Sequence, residues 1–189
     1  MEMKESFFSL SGHFKLQLLQ NEKVLFEWEK HNAIIQPTIE KLAKSIMGLI
    51  PYEPNTNFVK IKLGDGGSNL DGSPIDITGN ESDLNNSLVE YTHKGLPGVL
   101  YDDQGQSLVS YINAVELKQG LYKLTIIIDN TDGNSPNDVL REYSEVGLFF
   151  ANDDMFAYRT FPRVSKDSST NLKIEWTFQF LTNKGIQQP

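Results

Sequence analysis

The nine residues Leu172-Lys173-Ile174-Glu175-Trp176-Thr177-Phe178-Gln179-Phe180 decide the fold class. Leu172, Ile174, Trp176, Phe178 and Phe180 alternate with Lys173, Glu175, Thr177 and Gln179. Successive side chains of an extended chain point to opposite faces, so a period of two puts all five apolar residues on one side. One buried face and one wet face is the pattern of a strand in an antiparallel sheet.

Upstream the same reading recurs. Arg141 to Ala151 and Met155 to Phe161 are predicted strands. Ser107 to Lys118 and Leu121 to Asp129 flank Gln119-Gly120, the form of a hairpin with a two-residue turn. His13 to Gln20 and Lys23 to His31 make a second hairpin, with Val24, Phe26 and Trp28 on one face, and Phe58 to Leu63 is a short strand. One helix is predicted near residues 37–49. Pro37 suits its first turn, Ile39, Leu42, Ala43, Ile46 and Met47 form one apolar stripe, and Gly48 and Pro51 end it. Two polar tracts, Gly64 to Asn86 and Gly95 to Gly105, read as loops, and Asn130 to Asp138 as a turn-rich third. The expected fold is mainly β: an antiparallel β-sandwich of about eight strands with one helix after the N-terminal hairpin. Residues 1–10 are expected to form an arm, 11–185 a single domain and 186–189 a polar tail.

Composition narrows the function classes. The chain has 189 residues, 39% of them apolar, enough for one domain with a true core. No run approaches the roughly 18 consecutive apolar residues of a spanning helix, so membrane insertion is not expected. Seventeen basic against 25 acidic residues give a net charge of −8, which repels phosphate backbones and argues against nucleic-acid binding. There is no cysteine, hence no disulfide, thiolate metal site or cysteine nucleophile. Folding in a reducing cytoplasm is the expectation.

Chemistry-bearing patterns are sparse. His13, His31 and His93 lack metal-ligand spacing. Gly64-Asp65-Gly66-Gly67 follows a strand without the Lys-Ser/Thr and helix of a phosphate loop, and reads as a tight turn. Asp65, Asn69, Asp71 and Asp76, and Asp129, Asp132 and Asn134, offer calcium-type oxygens, but their spacing is not that of an EF-hand and they are ordinary turn residues. Glu142, Glu145, Asp153 and Asp154 are the acids available for a carboxylate pair; Glu145, just before the apolar run Val146 to Phe150, reads as a structural carboxylate that binds a turn backbone. Trp28 and Trp176 belong to buried faces, whereas Tyr91 and Tyr101 flank loops and are expected at the surface. No catalytic, cofactor or metal residue is assigned.

Three segments together carry a resemblance: His31-Asn32-Ala33-Ile34-Ile35 leading into Thr38 to Gly48; Val59-Lys60-Ile61-Lys62-Leu63-Gly64-Asp65-Gly66; and Tyr143-Ser144-Glu145-Val146-Gly147-Leu148-Phe149-Phe150 followed by Met155 to Pro162 and Leu172 to Phe178. In this the chain resembles tailed-bacteriophage virion proteins of the tail-fibre, tail-collar and baseplate type, over roughly two-thirds of its length. It departs from them in the inserts Gly64 to Asn86 and Asp129 to Asp138. The resemblance implies a virion part made in the host bacterial cytoplasm, with no catalysis, that assembles with copies of itself or with neighbouring virion proteins. Head-fibre, neck or capsid-surface proteins and a carbohydrate-binding receptor-recognition module are the alternatives. Phe7, Phe8, Tyr91 and Tyr101 are the expected partner contacts, with Phe7 and Phe8 on the arm or covering the domain's own sheet.

Overall fold

The computed structural model describes residues 9–31, 33–34, 58–135 and 140–181. These form eleven strands: β1 (Ser9–Gln20), β2 (Lys23–His31), β3 (Ala33–Ile34), β4 (Phe58–Gly64), β5 (Ser87–His93), β6 (Gly98–Tyr101), β7 (Ser107–Lys118), β8 (Leu121–Ile128), β9 (Arg141–Phe150), β10 (Met155–Lys166) and β11 (Asn171–Leu181). Among the described residues there is no helix; the segment expected to be helical, 37–49, lies outside them, as do Phe7, Phe8 and the tail 186–189.

All eleven strands belong to one antiparallel sheet, in the order β2-β1-β11-β8-β7-β6-β5-β4-β9-β10-β3. The sheet rolls until β3 and β10 come back beside β1, so that ten full strands and the short β3 nearly close a barrel. This corrects the expected sandwich. Alternation along single strands shows that one face is buried, but two packed sheets and one rolled sheet bury the same face, and the choice between them lies in non-local pairing.

Most expected strands are present. The β1–β2 turn is Asn21-Glu22, with both residues at positive φ (49° and 65°), the conformation whose twist suits a two-residue hairpin. Gly120, at φ 77°, fills the matching place between β7 and β8. β10 runs on past Phe161 to Lys166, through Pro162; the register shifts between Thr160 and Val164, and a bulge is where a strand tolerates proline. β5 and β6 were not expected. They are short, and the Gly95–Gly98 turn that joins them looks like loop in a single sequence.

Inside the barrel lie Phe14 and Leu16 of β1, Ile61 and Leu63 of β4, Leu100 of β6, Ile112 of β7, Ile126 and Ile128 of β8, Leu148 of β9, Phe161 of β10 and Ile174 and Trp176 of β11, all fully buried. Phe14 is the aromatic centre: its ring stacks on Phe161 at 6.1 Å and meets Trp176 edge-on at 4.9 Å and Trp28 at 6.0 Å. Such contacts add about 0.5–1.5 kcal/mol each beyond the area they bury.

β9 is unusual in being buried on both sides. Val146 and Leu148 face the barrel core. Phe149 joins Leu84, Met155 and Tyr158 in a second cluster, against which Ile77 packs. Leu84 and Ile77 come from the long insert between β4 and β5, which therefore folds over the outside of β9 and β10.

Candidate functional site

Glu145 holds that insert in place. Its side chain is fully buried. Oε1 accepts the backbone N–H of Gly66 at 3.0 Å and of Asn86 at 2.8 Å; Oε2 accepts the N–H of Asn85 at 2.9 Å and the hydroxyl of Tyr158 at 2.5 Å. Next to it, Ser144 Oγ accepts the N–H of Gly67 at 2.9 Å. Both ends of the insert thus converge on one carboxylate. A side chain on Gly67 would have no room, since its Cβ would sit 2.3 Å from the Ser144 carbonyl oxygen. Tyr158 donates and must stay protonated to do so: burial first, and then the bond to Glu145, push its hydroxyl far above the ordinary tyrosine range. The turn read at Gly64–Gly67 and the structural role read for Glu145 are two halves of one feature.

The other acids are dispersed. Glu142 pairs with Arg163 at 3.3 Å, Asp153 with Lys60 at 2.5 Å, and Asp154 Oδ2 accepts from Asn152 at 2.8 Å. The Asp/Asn clusters serve the backbone: Asp71 closes a turn by accepting the N–H and hydroxyl of Ser73 at 2.9 and 2.6 Å, Asp129 does the same with Thr131, and Asp132 ties the loop after β8 to β7 by accepting the N–H and hydroxyl of Ser110. Among the described residues no three His, Asp or Glu side chains converge as metal ligands. His93 is buried near the Gly95 carbonyl, whereas His13 and His31 meet edge-to-face across β1 and β2 at 6.4 Å.

These turn carboxylates make the fold sensitive to acid. The Ser73 hydroxyl, then its N–H, hold Asp71 below the usual aspartate value of 3.8; Ser169 does the same for Asp167. For Glu81 burial opposes the charge, but donors from Thr78 and Gly79 outweigh it and bring the carboxyl below 4.5. Lowered folded values mean that the unfolded chain takes up these protons first. The stabilisation is complete above the unfolded values and is lost as pH falls through the folded ones. Thermal melts are expected to be flat from neutrality to about pH 5 and to fall steadily below it. A loss that begins above pH 6 would point to another group.

The sequence-expected contact residues separate. Tyr91 is 3% exposed and lies in the barrel core, its hydroxyl pushed far above the ordinary range by burial. It is therefore not on the surface of the single chain, contrary to expectation. It sits at a loop in the sequence, but it also lies on the inward face of β5, a strand that the sequence reading missed. Tyr101 is half-buried under Lys94, whose ammonium lies 4.1 Å from the ring centre. Trp176 is in the core as expected, and Trp28 packs half-buried against it.

A different face stands out. Along β7, Val109 is 65% exposed, with Tyr111, Val115 and Leu117 also exposed, and Val99 of β6 pairs directly with Tyr111. The outer face of β1, β2, β8 and β11 is instead a ladder of charge, with Lys15–Glu27 at 2.9 Å and Glu175 between Lys123 and Lys173 at 3.2 Å from each. One side of the barrel is built for water and the β6–β7 side presents aliphatic and aromatic surface. The signal was in the sequence: Leu108-Val109-Ser110-Tyr111-Ile112-Asn113-Ala114-Val115 is apolar at both alternating sets of positions, which one buried face does not require. Beside β5 and the loop after β8, a groove of about 740 Å³ is lined by Glu90, Asp103, Thr131, Asn134 and Arg141.

Comparison with known proteins finds no protein family, no curated protein and no solved structure that matches this chain.

Proposed function

We propose that the chain is a non-enzymatic structural component of a bacteriophage virion, in the tail, baseplate or tail-fibre attachment region, acting through protein–protein contacts in a symmetric assembly. The observation that carries the assembly part of this reading is the exposed Val99, Val109, Tyr111 and Val115 face of β6 and β7. Exposed apolar side chains gathered on one face of neighbouring strands mark a contact site. The virion part rests on the sequence resemblance. Glu145 supports the same reading, because the side chain that looks most like a buried catalytic acid has its oxygens committed to three backbone N–H groups and a tyrosine hydroxyl. The helix expected over 37–49 belongs to the proposal as an element packed beside the sheet.

Sedimentation velocity tests the face. The wild-type chain is expected to form a discrete closed oligomer at micromolar concentration. The double substitution Val109→Lys with Tyr111→Lys is expected to leave a monomer with an unchanged circular dichroism spectrum, since exposed substitutions shift stability by only about 0.5 kcal/mol. A wild-type chain that stays monomeric, or a double variant that assembles as well as wild type, contradicts the assignment.

A further inference from the structure

We propose that the seam where the barrel nearly closes holds a binding site for a small oxyanion of the sulfate or phosphate type, with Arg159 as its anchor. The seam lies between the β1–β2 edge and β10, and a cavity of about 470 Å³ there is lined by His13, Glu29, Lys30, His31 and Arg159. Four of the five are cationic or N–H-bearing, in a chain whose net charge is −8.

Arg159 is under-compensated. No carboxylate among the described residues reaches ion-pair distance of it, and its Nε is buried without a hydrogen-bond partner. Burial opposes the guanidinium charge, and the charge of Asp76 acts on it only from beyond ion-pair range. A partly buried cation with an unpaired N–H is costly unless a counter-charge meets it. Its guanidinium carbon lies 5.3 Å from the centre of the Trp28 ring. The unpartnered Nε–H belongs to the in-plane edge with which an arginine grips two oxygens of an oxyanion at once. Lys30 adds charge on the same face of β2 as Trp28, while His13 and His31 line the cavity from the opposite face of the hairpin. Glu29 is the single acid in the lining, and it is turned towards His13, 3.9 Å from Nε2.

A bound oxyanion would bridge the β1–β2 hairpin to β10, across the open seam of the sheet that the described residues form. The test uses the full chain and sodium sulfate, whose charge is constant across neutral pH, against sodium chloride at equal ionic strength. Nuclear magnetic resonance follows the Arg159 Nε–H and the Trp28 indole signals. Sulfate is expected to shift both saturably, with a dissociation constant on the order of millimolar. Arg159→Lys should weaken binding about tenfold, because it keeps the charge and loses the fork. Lys30→Gln, which leaves the Trp28 contact untouched, should weaken it several-fold. The proposal fails if sulfate moves neither signal more than chloride does, or if Arg159→Gln, folded by its spectrum, binds as tightly as wild type.

Discussion

Replacing Glu145 with glutamine is expected to destabilise the fold by about 3 kcal/mol, although the two side chains have nearly the same shape. The carboxylate receives two backbone donors on Oε1 and one backbone donor plus the Tyr158 hydroxyl on Oε2. Glutamine has one acceptor oxygen and an NH₂ that only donates. With the NH₂ in place of Oε1 the Gly66 and Asn86 N–H groups both face another donor; with it in place of Oε2 the Asn85 N–H does, while the Tyr158 hydroxyl can turn to accept from it. Each unsatisfied buried group costs about 1–3 kcal/mol. For a domain of this size the melting temperature should drop by about 6–12 °C. Glu145→Ala should cost more, and Tyr158→Phe, which removes one donor and leaves the others paired, only about 1 kcal/mol. Proteolysis should report the location of the damage: cleavage within residues 68–86 should accelerate before the barrel itself melts. A Glu145→Gln protein as stable as wild type would mean that this carboxylate does not hold the insert.

Trp176→Ala is expected to be the most damaging core substitution, at about 4 kcal/mol. Trp176 is fully buried between Phe14, at 4.9 Å, and Phe178, at 6.3 Å, so truncation removes the largest ring of the barrel interior and leaves a cavity that a rolled sheet closes poorly. Trp176→Phe is expected to cost less than about 1.5 kcal/mol. The smaller ring keeps most of the packing and also removes an indole N–H that has no partner in the core. Chemical denaturation of the two variants side by side checks this ordering. Equal losses would mean that the interior is not packed around this ring.

How much of this was legible beforehand depends on where the information lies along the chain. The strand Asn171–Leu181 announces itself because its register, its burial and its identity are all set by side-chain alternation within one segment. Glu145 was legible as a structural acid from its neighbours, but its partners at Gly66, Asn85 and Asn86 were not, because they lie 59 to 79 residues away and meet it only when β4 pairs with β9. The barrel was mistaken for a sandwich for the same reason: closure is a property of pairing between distant strands such as β1 with β11 and β10 with β3. β6 was hidden by its own shortness, and with β5 unrecognised Tyr91 was assigned to the surface. The apolar face on β7 was visible as a run without alternation, but the segment was read only as one strand of a hairpin.

The central claim is that this chain is a part in a symmetric virion assembly, held there by the outer face of β6 and β7. Electron cryo-microscopy of particles produced by the genome that encodes the chain tests it most directly. The expected result is barrel-shaped density in the tail, repeated with the symmetry of that region, with Val109 and Tyr111 covered by a neighbouring subunit. Particles that lack the chain, or that carry it with the β6–β7 face open to solvent, would contradict the account.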